Sequence, residues 1–197
     1  MSFYTKPTTM KIRIFAILSL IAGSFAFASC IDEEATNDVI LANDKAAINA
    51  YLDTTSIVNV KEFRDEATGL SIIWQERAPS DTLETLIQGD TISVNYTGKF
   101  LTNKVFETTL ESVARDNDIF SSNAKYEPIK FLWLVPGNRL ITGFEFGVSQ
   151  MEVGDKATVF IPSEFAYGRE GSRNIGPNTP LIFELELVKV NPVKRQP

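Results

Sequence analysis

The sequence predicts an α+β fold: an antiparallel β-sheet wrapped around one short α-helix, with a helical extension on the amino-terminal side. Three observations lead there. Downstream of Leu70 the apolar residues recur with period two, most cleanly near the end of the chain. There Phe183, Leu185 and Leu187 point one way while Glu184 and Glu186 point the other. A single later segment breaks this rhythm: Phe144, Val148 and Met151 are spaced by four and three residues, which puts them on one face of a short helix. Far upstream, Asn43-Asp44-Lys45 opens a second helical stretch reaching about Leu52. An Asn or Asp would cap it, and Ala47, Ile48, Tyr51 and Leu52 would share one face. Several such strands with one short helix imply a sheet that buries the helix against one side.

Taken in order, the chain begins with Lys6, Lys11 and Arg13 ahead of an apolar run from Ile14 to Phe27, ending in Ala28-Ser29-Cys30. The run is short for a membrane span but suits the apolar region of an export signal, and Met10 is an alternative start. Small residues before a lone cysteine resemble a bacterial lipoprotein signal, which would make Cys30 the lipidated amino terminus; Phe27 stands where an aliphatic residue is usual. An ordinary secretory signal with an incidental cysteine is the alternative. The acidic stretch Ile31 to Asp38 reads as a solvated tether, and equally as a surface-export signal. The expected division is therefore residues 1–29 as signal, 30–68 as tether and helix, 69–191 as the folded domain and 192–197 as a tail.

Within the domain, strands are expected at Leu70–Trp74, Thr91–Tyr96, Pro128–Phe131 and Ala157–Ile161, and in the segment containing Phe183 to Leu187. Thr108 to Glu127 reads as an insertion in a sheet-edge loop, either a neutral surface feature or a determinant of partner choice. Gly168 to Asn174 reads as a flexible flap, with Arg169 and Arg173 as solvated side chains within reach of a bound molecule.

Composition removes whole classes of chemistry. The 197 residues include no histidine and a single cysteine, so imidazole bases, Cys-His pairs and intramolecular disulfides are excluded. No thiolate-imidazole zinc set can form, and no carboxylate cluster has hard-metal spacing, so neither a metal nor a cofactor is expected. Loss of residues 1–29 removes three of 19 Lys+Arg and no acid. The remaining 16 against 25 Asp+Glu give a formal charge of −9. That acidity argues against nucleic acid as a partner and against electrostatic docking on anionic lipid. Membrane attachment would come through a lipid at Cys30.

Three segments then occur in a telling order. Val94-Asn95-Tyr96-Thr97-Gly98 is followed by Val105-Phe106-Glu107; Val135 to Met151 holds Leu140-Ile141, a Gly143 hinge and Phe144; Phe165-Ala166-Tyr167-Gly168 precedes Ile175-Gly176-Pro177 and Leu181 to Leu185. Together, over about Gly69 to Val190, they resemble the FKBP-type peptidyl-prolyl cis/trans isomerases. The resemblance implies the FKBP-like antiparallel sheet and helix, and proline-containing polypeptides as substrates, with macrolides of the tacrolimus and rapamycin type as candidate inhibitors. It also implies a pocket. Tyr96 and Phe106 would form an aromatic wall and Phe144 the floor, where many members have tryptophan. Leu140 and Ile141 would form the rim, the Ile141 N–H donating to a substrate carbonyl. Tyr167 would offer its hydroxyl, and Ile175 and Phe183 would complete the lining. Glu107 stands where the family typically has aspartate.

The activity this implies needs no base. Rotation about an Xaa-Pro bond breaks amide resonance at a cost of about 18–20 kcal/mol. The twisted carbonyl carries less charge than the planar one, so a dry apolar pocket favours the twisted form. A hundred- to ten-thousandfold acceleration requires only about 3–5.5 kcal/mol. The expected role is assisted folding of exported or envelope proteins at the bacterial cell envelope. A non-catalytic binding module of the same fold, or a structural lipoprotein, remains open at this level.

Overall fold

A computed structural model describes residues 36–79, 86–137 and 140–193 besides Met1; the export-signal segment, Cys30 and the 194–197 tail lie outside the described residues. The order is α1 (Asn37–Thr54), β1 (Lys61–Arg64), β2 (Ser71–Glu76), β3 (Thr91–Phe100), β4 (Val105–Thr108), α2 (Glu111–Asp116), β5 (Ile129–Leu132), α3 (Thr142–Ser149), β6 (Lys156–Ile161), a 3-10 turn (Ser163–Phe165) and β7 (Leu181–Asn191). Among the described residues the seven strands form one antiparallel sheet ordered β1-β2-β6-β7-β3-β4, with β5 also paired to β3. β3 is its axis. One edge of β3 pairs with β7 along its whole length, while β5 takes Thr91–Val94 and β4 takes Thr97–Lys99 on the other edge.

Helix α3 lies in the concave face of this sheet. Phe144, Val148 and Met151 are buried and join Ile92, Val94, Val159, Phe183, Leu185 and Leu187 in the main core. The expected hinge at Gly143 is instead the second residue of α3, where it brings the helix close to β6. A Cβ there would lie 2.3 Å from Ile161 Cγ2, and one at Gly147 would lie 2.7 Å from Val159 Cγ2. Glycine at these two positions sets how deeply α3, and with it Phe144, sits.

The opposite sheet face is covered at one end by α1. Ile48 of α1 packs with Ile73, Phe160 and Ile182 in a second cluster, flanked by Tyr51 and Leu52. Two-sided burial explains why Ala157 to Ile161 are all buried although their side chains alternate. The helix begins six residues before the expected start. Thr36 caps it, its hydroxyl accepting from the Val39 N–H at 3.4 Å, so Asn37 and Asp38 are helical and not part of a tether. Ala47, expected on the inner face, is exposed; the buried positions are Ile40, Asp44 and Ile48, and Asp44 caps nothing in its own helix. The sheet also starts at β1, upstream of Gly69. Among the described residues no helix is long and apolar enough to cross a membrane.

The stretch from Thr108 to Glu127 is built as a small unit of its own. Thr109 is buried, accepting from the Tyr96 N–H at 2.9 Å and donating to Asn95 Oδ1 at 3.1 Å, which pins the insertion to β3. Ala114 of α2 is fully buried. Phe120 stacks on Tyr126 (centroids 5.6 Å apart, 15° between planes), and the Arg115 guanidinium lies 3.6 Å from the Phe120 ring centroid.

Candidate active site

On the concave face, β3, β4, α3 and β7 bring four aromatic rings together. Phe144 from α3 meets Phe183 from β7 edge-on at 5.5 Å and 90°, and Tyr96 from β3 meets Phe144 at 5.7 Å and 88°. Phe183 also meets Tyr96 at 5.9 Å and Phe106 from β4 at 5.8 Å. Edge-to-face contacts of this kind add about 0.5–1.5 kcal/mol each beyond burial and hold the rings at fixed angles. The register makes room for them. Gly98 faces Phe183 across β3 and β7 and Glu107 across β3 and β4, and a Cβ at residue 98 would lie 2.5 Å from Phe106 Cζ. The missing side chain is the space that the Phe106 ring fills.

Exposure grades from floor to mouth. Phe144, Phe183 and Ile175 are only 3%, 4% and 8% exposed, while Tyr96, Phe106, Leu140, Ile141 and Tyr167 are half-buried around them in the same apolar cluster. Glu107 is exposed at the mouth. The eight apolar and aromatic residues expected to line a pocket therefore lie in one packed cluster, with Glu107 outside it. Ile141 occupies the cap position of α3, and its carbonyl accepts from the Phe144 and Glu145 N–H groups at 3.0 and 3.2 Å. Its own N–H makes no hydrogen bond among the described residues, which leaves a donor at the rim.

Two hydroxyls complete the polar part. Burial raises the ionisation point of Tyr96, and the Glu107 carboxylate raises it further, by its charge and by accepting the hydroxyl's hydrogen bond. Tyr167 is raised in the same way, by burial first and then by Glu107, and Arg173 opposes the shift at both rings. Both remain neutral O–H donors at physiological pH. Arg173 is thus close enough to act on the pocket by charge. Arg169 turns the other way, its Nε donating to Asn37 Oδ1 of α1 at 3.0 Å.

Sequence reasoning missed Phe131, which packs on Phe144 at 6.4 Å and 68° from β5, and Phe100, 5.2 Å from Phe106. The signal for Phe131 was its alternation with Ile129 and Trp133; that it backs the floor needed the sheet order. A cleft of about 270 Å³ also runs from Tyr96, Phe106 and Glu107 to Ala114 and Ile119 of the insertion. The arrangement can bind an apolar ring, offer the Ile141 N–H and the Tyr167 hydroxyl as donors around it, and exclude water from the floor.

Comparison with known proteins points to one family. The family model described as FKBP-type peptidyl-prolyl cis-trans isomerase matches residues 84–188. FK506-binding protein 2 of Yarrowia lipolytica is 33% identical over 120 residues, covering 60% of this chain and 73% of that protein. The short-type peptidyl-prolyl cis-trans isomerase of Methanocaldococcus jannaschii is 42% identical over 88 residues, which is 45% of this chain and 54% of the relative. Among solved structures, the crystal structure of FkpA from Escherichia coli superposes with a TM-score of 0.54 at 25% identity, covering 95% of this chain and 75% of that one. The aromatic pocket and these matches place the chain in the FKBP-type peptidyl-prolyl cis-trans isomerase family.

Proposed function

We propose that this isomerase accelerates rotation about Xaa-Pro bonds by holding the twisted amide over Phe144, and that it serves exported or envelope proteins from a lipid anchor at Cys30. The observation that carries the catalytic part is the convergence of Tyr96, Phe106, Phe144 and Phe183 at centroid distances of 5.5–5.9 Å around one apolar floor. The proline ring would pack on Phe144 between the Tyr96 and Phe106 walls. The Ile141 N–H and the Tyr167 hydroxyl would hold the flanking carbonyls, and the Tyr96–Glu107 hydrogen bond would keep the wall in place. A planar amide gives up more solvation on entering this pocket than a twisted one, so binding favours the transition state. No proton moves.

The test is exchange spectroscopy on a short Xaa-Pro peptide with purified protein. Acceleration that falls more than tenfold in Phe106→Ala, with the fold retained, is the expected result. A well-folded parent that leaves the exchange rate unchanged would overturn the catalytic reading.

The envelope role is supported by the basic residues, apolar run and Ala28-Ser29-Cys30 at the start of the chain. Lipid labelling and membrane recovery that both vanish in Cys30→Ser are expected; labelling that persists would overturn the anchor. One relative carries FK506 binding in its name. This chain would take such macrolides in the same pocket, more weakly than a tryptophan-floored one, because Phe144 presents a smaller ring and no indole N–H.

A further inference from the structure

The amino-terminal helix α1 lies wholly upstream of the matched family region at residues 84–188, yet it reaches the turn that carries Tyr167. The contact is a buried polar one. Asp44 is 4% exposed and Ser163 1%. Asp44 Oδ2 accepts from the Ser163 N–H at 2.8 Å and from the Ser163 hydroxyl at 2.5 Å. Ser163 is the first residue of the 3-10 turn, and no side chain of the turn's own segment caps it. Asp44 therefore supplies, from another element, the acceptor that an N-cap residue supplies locally.

That turn leads directly into the pocket. The Ser163 carbonyl accepts from Ala166 N–H at 3.0 Å and Gly168 N–H at 2.8 Å, the residues on either side of Tyr167. The Gly168 carbonyl accepts in turn from Asn178 N–H at 2.8 Å. Tyr167 is thus held at both flanks by bonds that start at Ser163, and Ser163 is held by Asp44. Two further contacts keep α1 on this surface: Arg169 Nε donates to Asn37 Oδ1 at 3.0 Å, and Lys45 Nζ donates to the Glu66 carbonyl.

We infer that Asp44 is a positioning residue for catalysis: by gripping Ser163 it sets the place of the Tyr167 hydroxyl, so that α1 is part of the working isomerase. The inference rests on the reading above that Tyr167 contacts substrate. A buried carboxylate carrying two hydrogen bonds from one residue is a costly choice for mere attachment, since Ile48 already fastens the helix through apolar contact. Its geometry serves orientation, because both bonds end on the residue whose carbonyl brackets Tyr167.

The test is a double-mutant cycle on the full chain, with Asp44→Ala, Tyr167→Phe and the pair, reading kcat/KM on an Xaa-Pro peptide alongside thermal unfolding. Asp44→Ala is expected to lower kcat/KM about three- to tenfold and to cause no further loss once Tyr167 is Phe, even where it lowers the melting temperature further. Losses that multiply in the pair would make Asp44 a purely structural residue and overturn the inference, as would unchanged kcat/KM in a folded Asp44→Ala. Should Asp44→Ala not fold, Ser163→Ala removes only the hydroxyl bond. A shift of the Tyr167 ring resonances in that variant without substrate is expected, and an unmoved resonance overturns the inference. An inactive parent, or a Tyr167→Phe variant as active as the parent, would instead count against the pocket assignment, while the ring-resonance arm still reports on Asp44.

Discussion

Phe106 illustrates how closely the pocket depends on single atoms. Its ring fills the space above Gly98, so Gly98→Ala would drive a Cβ to 2.5 Å from Phe106 Cζ and 3.2 Å from Phe183 Cε1. Overpacking of this sort costs about 1–3 kcal/mol. The expected outcome is a lower denaturation midpoint together with a drop in turnover larger than that of an alanine placed elsewhere in β3. Tyr96 offers a pH test. Its folded ionisation point is raised above the ordinary 10.0, first by burial and then by Glu107. Above about pH 10 the unfolded chain therefore releases a proton that the fold retains, and stability declines as pH rises. Tyr167 adds to this with the same sign. Urea midpoints measured from pH 8 to 11 should fall along this course, and less steeply in Tyr96→Phe.

Among the elements, α1 and the insertion define what this chain adds around the pocket. Ile48 is 1% exposed against Ile73, Phe160 and Ile182, so Ile48→Ala should cost about 2–5 kcal/mol by thermal unfolding. The insertion, braced by the Phe120–Tyr126 stack and by Thr109, forms one wall of the 270 Å³ cleft beside Tyr96 and Phe106. A bulky side chain at the exposed Ala124 would narrow that cleft. Ala124→Trp should lower kcat/KM several-fold more for peptides with a large residue beside proline than for Ala-Pro, with unfolding unchanged. Equal effects on both peptides would show that the cleft does not meet substrate. The exposed edge strand β1 is charged, with Arg64 paired to Glu62 at 3.0 Å, which discourages pairing with a further strand.

For the molecule as a whole, the sheet is a scaffold with two differently used faces. The concave face holds α3 and the aromatic floor; the other carries α1, whose contact with the 3-10 turn links the two faces through Asp44 and Ser163. The floor sets ligand choice. Phe144→Trp should raise macrolide affinity, measured by calorimetry, while changing turnover of small Xaa-Pro peptides little; a loss of both would mean that the larger ring blocks the site against Phe131 and Phe183.

The sequence by itself determined five of the strands and the helix packed on them, but not β1 or β4, because alternation at Phe183, Leu185 and Leu187 and the spacing of Phe144, Val148 and Met151 are local properties of the chain. The order of Tyr96, Phe106, Ile141 and Tyr167 along the chain also suggested a shared site, and the fold packs these four into one cluster. Tertiary structure alone decided three other matters. The cap of α1 moved to Thr36, with the added turns burying Ile40 against the rest of the fold. Gly143 and Gly98 proved to be points of close approach, which depend on what lies opposite them. Asp44, which looks from its neighbours like a cap for its own helix, caps a turn 119 residues away. A carboxylate accepts from whichever N–H the fold brings to it, and that partner is not written near it in the chain.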